Sequence, residues 1–165
     1  MFIIAFRRLV HDREVPAVPV TCRFCQIAAR TLPAAVVFED DLALAFLDHR
    51  PLFPGHVLLI PKAHIETLAE VPASTLAPLF GAAQRLARAM EDGLGAEGSF
   101  VAINNRVSQS VPHLHIHVVP RRRKDGLKGF FWPRGKYASE EEMETVRRKL
   151  EQALGGAGSR PAEAS

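Results

Sequence analysis

The sequence lacks a hydrophobic run of membrane-spanning length, because no apolar stretch approaches the ~20 residues that such a helix needs. Its short apolar beginning, residues 2–6, precedes the charges of Arg7 and Arg8, whereas a secretion signal carries its charges first. The net charge of +3 is small, so it gives only a mild bias towards anionic partners and does not by itself indicate nucleic acid. We therefore expect a cytoplasmic protein that does not associate with a membrane.

Cysteine is scarce, and both copies lie in one Cys22-Arg23-Phe24-Cys25 unit. Without a secretion signal, this spacing favours metal binding or redox chemistry over a structural disulfide, and a pair of buried thiols stays open as a third reading. The 165 residues are 47% hydrophobic, which is enough for one domain with a substantial core.

The two ends of the chain differ in composition from its middle. Residues 1–20 contain Val15-Pro16 and Val18-Pro19 breaks without a sustained period, and we expect a flexible extension there. Residues 155–165 are rich in glycine, serine, proline and alanine, which predicts a disordered tail. A single domain is predicted between them, over residues 21–154.

Apolar periodicity within this domain predicts an α+β fold around a five-stranded antiparallel sheet. The long second helix should bury an apolar stripe that includes Phe80, and it should end at Gly93. The last helix should begin with a capping box of Ser139 and Glu142. Helices are predicted over residues 24–30 and 72–92 and from Ser139 onward, and strands over residues 36–38, 42–47, 57–60, 100–103 and 113–119.

Three histidines alternate with apolar residues at residues 113–117. Side chains two apart in a strand face the same side, so His113, His115 and His117 should share one face while Leu114 and Ile116 point to the core. A solvated surface strand, a metal site, and a nucleophile or general acid–base role are the three readings that this pattern leaves open.

The segment His113-Leu114-His115-Ile116-His117-Val118-Val119 resembles the defining motif of the histidine triad (HIT) family. The resemblance spans roughly residues 22–121 and implies a HIT-like fold. Upstream segments resemble the family in order and spacing, namely Cys22-Arg23-Phe24-Cys25-Gln26-Ile27, Phe38-Glu39-Asp40-Asp41, Ala45-Phe46-Leu47-Asp48, Pro54-Gly55-His56 and Ile60-Pro61-Lys62-Ala63-His64.

The resemblance implies nucleotidyl transfer or hydrolysis at the α-phosphorus of a nucleotide conjugate, such as a diadenosine polyphosphate or a nucleoside phosphoramidate. It assigns His115 as the nucleophile that forms a nucleotidyl-imidazole intermediate, and it places His117 and His56 near the phosphate oxygens. Gln109 and Ser110 match the pair that lies near the leaving group. A nucleotide-binding or scaffolding module with little catalytic activity is the alternative function.

The nucleotide pocket implied by the resemblance has a carboxylate for the ribose and apolar walls for the base. Asp48 would accept hydrogen bonds from both ribose hydroxyls. Asn105 is also expected to bind the nucleotide, and it lies in a segment that is shorter than in many relatives and lacks glycine. The predicted wall residues are Phe24, Ile27, Phe46 and His49.

The resemblance also implies a structural zinc ion, because several bacterial members bind zinc with this cysteine pair and two histidines. The four matching positions are Cys22, Cys25, His64 and His113, and a set of four leaves no open position for a catalytic water. Family members are typically homodimers, so we expect a homodimer here.

A basic run at residues 121–124 and an aromatic segment at residues 130–132 follow the triad. They are interpreted either as a solvated charge run with an aromatic anchor or as a funnel for the far phosphates or second nucleoside of a dinucleotide. The run is short and no groove-reading element accompanies it, so we do not expect polynucleotide binding.

Overall fold

The computed structural model describes residues 22–127 and 137–157, with side chains up to residue 150. The described chain forms two compact units that divide after Asp125, and each is described by itself. The first unit contains a five-stranded, fully antiparallel sheet in the order β1-β2-β3-β5-β4, as predicted. Its strands are β1 (Val36–Glu39), β2 (Ala43–Leu47), β3 (Val57–Pro61), β4 (Gly98–Ile103) and β5 (Ile116–Arg121).

Both faces of the sheet are buried along its central strands, where alternation divides the side chains between two cores. In β3, Val57 and Leu59 join the larger cluster, whereas Leu58 and Ile60 join the smaller one. Helix α2 (Ala73–Leu94) covers the larger cluster, and the short helix α1 (Arg23–Ala28) covers the smaller one. The smaller cluster therefore lies on the face that receives the residues around the cysteine pair.

Helix α2 departs from its predicted form at two places. It continues one residue past Gly93 to Leu94, and the cap that follows is Gly95, whose φ of 61° is the left-handed conformation that terminates helices readily. Phe80, which we placed in the apolar stripe, is 43% exposed, and Ala82 is buried in its place. Among the described residues, no helix has the length and apolar character needed to cross a bilayer.

The last strand starts later than predicted. It begins at Ile116, so His113 and His115 precede it, because the backbone before the strand bonds elsewhere: the His113 N–H donates to Val111 O (2.8 Å) and the Leu114 N–H donates to Ile65 O (2.6 Å). The predicted alternation of side chains nevertheless holds, since Leu114 and Ile116 are in the larger core.

The second unit contains helix α3 (Glu140–Ala157). The Glu142 N–H donates to Ser139 Oγ (3.1 Å), which confirms one half of the predicted capping box, while the Glu142 carboxylate accepts from the N–H of Ala138 and not from that of Ser139. The helix reaches Ala157, so the tail begins later than residue 155. The predicted extension over residues 1–20 and the rest of the tail lie outside the described residues.

The turn before β3 depends on Gly55. Its φ of 96° is a conformation that L side chains rarely adopt, and a Cβ atom there would lie 2.5 Å from Leu94 Cδ1 at the end of α2. The same turn is closed by the Asp48 N–H, which donates to His56 O (2.9 Å). Glycine therefore lets the chain turn tightly against α2 and delivers Asp48 and His56 to one end of the sheet.

Replacing Gly55 with alanine is expected to lower the free energy of unfolding by about 1–3 kcal/mol, because the new methyl group meets Leu94 and φ becomes strained. Gly93→Ala is the matched control. A Cβ atom at Gly93 would meet nothing within 4 Å, and alanine at this helical position should raise the free energy of unfolding by about 0.5–1 kcal/mol. Urea denaturation of both variants measures the difference, and equal changes would refute the assigned role of Gly55.

Candidate active site

His115 is buried and has one ring nitrogen committed to the backbone. Its Nδ1 lies 2.7 Å from His113 O, and because a carbonyl only accepts, Nδ1 carries the proton and donates it. Nε2 is then the nitrogen with a lone pair. The ring of Phe24 stands edge-on to the imidazole with 5.3 Å between the ring centroids, which fixes the orientation of His115. A neutral imidazole held in this tautomer is a competent nucleophile.

His117 and His56 form a hydrogen-bonded pair with a defined proton order. The Leu52 N–H donates to His56 Nδ1 (3.2 Å), so His56 carries its proton on Nε2. That proton is donated to His117 Nδ1 (3.0 Å), which leaves the proton of a neutral His117 on Nε2. His117 is therefore prepared to donate one hydrogen bond. The imidazole of His117 also lies 5.0 Å, centroid to centroid, from that of His115.

Burial keeps this histidine pair neutral. It lowers the pKa of His117 to about 4, with smaller contributions from the neighbouring charges of His115 and His56. Burial likewise lowers the pKa of His56, and Asp48 partly opposes that change. Both rings are uncharged at neutral pH, which is the state that the proton order above requires.

The free energy of unfolding is expected to fall by about 1–2 kcal/mol between pH 7 and pH 5 through His117 alone. The ordinary pKa of 6.5 applies in the unfolded chain, which therefore binds more protons than the folded chain between pH 6.5 and about 4, and acid favours unfolding. Urea denaturation at both pH values should show a smaller loss in His117→Gln than in the wild-type protein. Equal losses would show that His117 does not titrate in this way.

A cavity of about 510 Å³ opens beside these histidines, a volume suited to a small-molecule ligand. His115 and His117 form one part of its wall, and aromatic and aliphatic side chains from α1, β2 and β3 form another. His56 stands behind His117, 3% exposed, and is not part of the wall. The cavity is lined by Arg23, Phe24, Ile27, Phe46, Asp48, His49, Arg50, Leu58, Ser110, Val111, His115 and His117.

Asp48 is the acidic side chain in this wall. Its Oδ1 accepts the Arg50 N–H (2.9 Å), and its Oδ2 lies 3.5 Å from His56 Nδ1. His49 Nδ1 is 3.6 Å from Oδ1, which is too far for a hydrogen bond. The carboxylate is thus oriented by its own loop, and it retains lone pairs for a ligand.

Cys22, Cys25, His64 and His113 bring four metal-binding atoms within 4.8 Å of one another. His113 Nδ1 lies 3.5 Å from both sulfur atoms, and His64 Nδ1 lies 3.2 Å from Cys25 Sγ. Tetrahedral zinc with bonds of about 2.3 Å to sulfur and 2.0 Å to nitrogen places sulfur and nitrogen about 3.5 Å apart. The spacing of the cluster therefore fits zinc.

The protonation of the cluster also suits a metal. His113 Nε2 donates to Pro61 O (2.9 Å), which leaves Nδ1 as the lone-pair nitrogen that faces the sulfur atoms. Burial lowers the pKa of His113 to about 4, so the ring is neutral, as a ligand must be. Burial, with the neighbouring Cys22, raises the pKa of Cys25 to about 12, and this buried thiol stays protonated until a cation replaces its proton.

Gln109 and Asn105 are held away from the cavity. Gln109 Nε2 donates to Glu66 O (2.7 Å) while its Oε1 accepts the Arg106 N–H (2.6 Å). Asn105 Oδ1 accepts the Leu68 N–H (2.7 Å). These bonds attach the segment before the triad to the chain that follows β3, so both amides act here as loop anchors. Of the residues predicted near the leaving group or nucleotide in this segment, Ser110 lines the cavity.

A family model described as HIT domain matches residues 29–124, more than half of the chain. The chain belongs to the HIT family. This HIT protein is 40% identical over 113 residues to the protein named hit of Bacillus subtilis (strain 168), covering 67% of this chain and 78% of that relative.

The names of two further related proteins indicate an activity or a bound metal. An adenylylsulfatase of Arabidopsis thaliana is 36% identical over 108 residues, covering 64% of this chain and 55% of that relative. The crystal structure of a zinc-bound histidine triad family protein from Mycobacterium smegmatis superposes with a TM-score of 0.63 at 39% identity, covering 82% of this chain and 97% of that chain. The predicted family and α+β fold are confirmed.

Most of the predicted site residues lie either in the cavity wall or in the cysteine–histidine cluster. The cavity wall also contains residues that were not predicted. Arg23, Arg50, Leu58 and Val111 line the cavity without having been singled out. Helical spacing could have identified Arg23, since it lies four residues before Ile27 and shares its face of α1.

The basic run after the triad is committed to local contacts. The Arg121 guanidinium pairs with Asp125 (2.9 Å), Arg122 donates to Leu94 O at the end of α2, and Arg123 lies 3.5 Å from Glu97. These contacts favour the structural interpretation of residues 121–124. The aromatic segment at residues 130–132 lies outside the described residues.

Proposed function

We propose that this HIT protein hydrolyses a nucleotide conjugate, such as a diadenosine polyphosphate or a nucleoside phosphoramidate, or transfers its nucleotidyl group. The observation that carries the proposal is the state of His115: Nδ1–H is held by His113 O, Nε2 is left with its lone pair, and the ring lines a nucleotide-sized cavity. The name of the related adenylylsulfatase supports chemistry at a nucleotidyl group.

In the proposed reaction, His115 Nε2 attacks the α-phosphorus. A P–N bond forms, the bond from phosphorus to the leaving group breaks, and the leaving group departs with its electron pair. Water then attacks phosphorus, the P–N bond breaks, and Nε2 regains its lone pair while the proton lost by water passes to solvent. His117 Nε2–H donates to a phosphoryl oxygen as negative charge develops there. His56 acts through His117 as a positioning residue.

The same cavity would hold the nucleoside. Asp48 would accept hydrogen bonds from the two ribose hydroxyls, using the lone pairs that its own contacts leave free. Phe24, Ile27 and Phe46 would pack against the base, with His49 beside them, and Ser110 would lie near the leaving group. In place of the predicted direct contacts, Gln109 and Asn105 would hold the Ser110 loop in position.

We also propose that the Cys22, Cys25, His64 and His113 cluster holds a structural zinc ion. Its sulfur–nitrogen spacing and the zinc-bound relative support this assignment. Such an ion would join α1, the segment after β3 and the residues before β5, and His113 O is the acceptor that orients His115. Zinc would therefore support the nucleophile through the backbone, without chemistry of its own.

We retain two predictions about the state of the protein, namely that it is a homodimer and that it is cytoplasmic. β4 is an edge strand of the sheet and exposes 44% of Val101, which gives a second copy a surface to pair with. Light scattering after size-exclusion chromatography measures the mass. A monomer at micromolar concentration would refute the homodimer.

A substrate panel tests the proposed function. The purified chain is incubated with diadenosine polyphosphates, adenosine phosphoramidate and nucleotide sugars, with and without phosphate, and the nucleotide products are separated by chromatography. We expect mononucleotide release from at least one class. Gln84→Ala, on the exposed face of α2, should retain this activity. Release from no class at any enzyme concentration would refute an enzymatic function.

A further inference from the structure

Two arginines of the cavity wall have unpaired side chains. The other arginines that face local acids or carbonyls, such as Arg30, Arg85 and Arg121, make ion pairs. Within residues 22–127 and 137–150, the guanidinium groups of Arg23, Arg50 and Arg88 make no hydrogen bond or ion pair. Arg88 lies on the exposed surface of α2, whereas Arg23 and Arg50 line the cavity.

These two arginines adjoin, along the chain, residues that are proposed to bind the nucleoside. Arg23 is the first residue of α1 and shares a helix face with Ile27, one of the proposed walls of the base. Arg50 follows Asp48, the proposed ribose ligand, and its N–H is bonded to that carboxylate. His115 directly precedes β5, and His117 is its second residue.

The two arginines of the cavity wall offer hydrogen-bond donors to a base edge. A guanidinium group has five N–H donors and no acceptor. In the described chain, no amide side chain and no second carboxylate lines the cavity, and the proposed role of Asp48 commits its oxygens to the ribose. A base that presents two adjacent acceptors fits this wall better than one that presents an amino group.

Purine bases differ in the groups that they carry at the edge formed by position 6 and N7. Guanine and hypoxanthine carry O6 beside N7, two acceptors that match the fork of a guanidinium group, whereas adenine carries an N6 amino donor beside N7. We propose that Arg23, together with Arg50, makes the site selective for 6-oxopurine nucleotides. The inference rests on the proposed nucleotide site, and it names the class of nucleoside which that site prefers.

Equilibrium binding of nucleoside monophosphates to the full-length protein tests the proposal without requiring turnover. We expect GMP and IMP to bind alike, and both to bind about fivefold to tenfold more tightly than AMP, since about 1 kcal/mol of base discrimination is roughly fivefold. In Arg23→Met/Arg50→Met this ratio should fall towards one. Arg88→Gln removes the third unpaired arginine, which lies outside the cavity, and should retain the ratio.

Arg23→Lys/Arg50→Lys separates base reading from simple charge, because lysine retains the positive charge and loses the fork. The preference for GMP should fall in this variant too. If the lysine variant retains the preference, or if affinity rises with the number of phosphates and not with the base, the arginines bind phosphate and the proposal is wrong. Equal affinity for GMP and AMP overturns this inference alone. Failure of every monophosphate to bind overturns the nucleotide site with it.

Discussion

His115→Ala is expected to lower turnover at least about a thousandfold on the best substrate of the panel, because the variant lacks the imidazole that is proposed to form the covalent bond to phosphorus. The neighbouring imidazole cannot take over. His117 Nδ1 is occupied by His56, and its remaining nitrogen carries a proton. Initial rates under saturating substrate, with chromatography of the products, measure the loss.

Mononucleotide affinity provides the control for this variant. His115→Ala should still bind the product nucleotide, since the ribose carboxylate and the base wall are intact. If the variant retains the wild-type rate on every substrate, His115 is not the nucleophile. If it loses both rate and nucleotide binding but remains folded, its role is in binding, and the assigned chemistry is wrong.

Cys25→Ser is expected to release the metal and to lower the free energy of unfolding by at least about 3 kcal/mol. Cys25 is buried, and its sulfur lies within 3.5 Å of the proposed nitrogen ligands of both His64 and His113, so its loss opens the cluster at its centre. Elemental analysis should give about one zinc per wild-type chain, and much less in the variant.

Thermal unfolding with a chelator, followed by added zinc, tests the same account in the wild-type protein. The midpoint should fall on chelation and return on addition of zinc. His49→Ala removes a histidine outside the cluster and should retain the metal. A folded wild-type preparation with far less than one zinc per chain, and with an unfolding midpoint that a chelator does not change, would refute a structural zinc ion.

Local pattern was enough to predict the sheet and the sides to which its residues point. Leu58 and Leu59 lie on opposite faces because strand alternation is a property of neighbouring residues. The same rule correctly placed Leu114 in the core and His115 on the other side. It failed for the start of β5, because the Leu114 N–H bonds to Ile65, a partner 49 positions earlier that no local pattern specifies.

The candidate site could be predicted where a sequence motif specifies the residues. It could not be predicted where a backbone atom far away in the sequence determines the position of a side chain. The resemblance identified the four donors of the cysteine–histidine cluster, which the fold brings together. Gln109 and Asn105 were expected near the ligand, but their amides bond to Glu66 O and to Leu68 N–H across the fold. A side chain that bonds to a backbone atom far away in the sequence is held by that bond, and no local pattern specifies such a partner.

Arg23 illustrates a different gap. It lies between two cysteines whose spacing favours metal binding, whereas its helix face, shared with Ile27, directs it to the cavity. Charge and spacing were both visible in the sequence. The sequence could not show that its guanidinium group has no partner in the described chain, because this depends on which acidic side chains the fold brings near it.

The central claim is that His115 forms a covalent nucleotidyl intermediate, and trapping that intermediate tests it most directly. The wild-type protein is mixed with the best substrate, denatured within the first turnover at alkaline pH, digested and examined by mass spectrometry. We predict a peptide heavier by one nucleotidyl group, with fragmentation that places the group on His115 and none in His115→Ala. Turnover with no modified histidine at any time point would contradict a covalent mechanism, and tight nucleotide binding with neither turnover nor modification would leave a binding module.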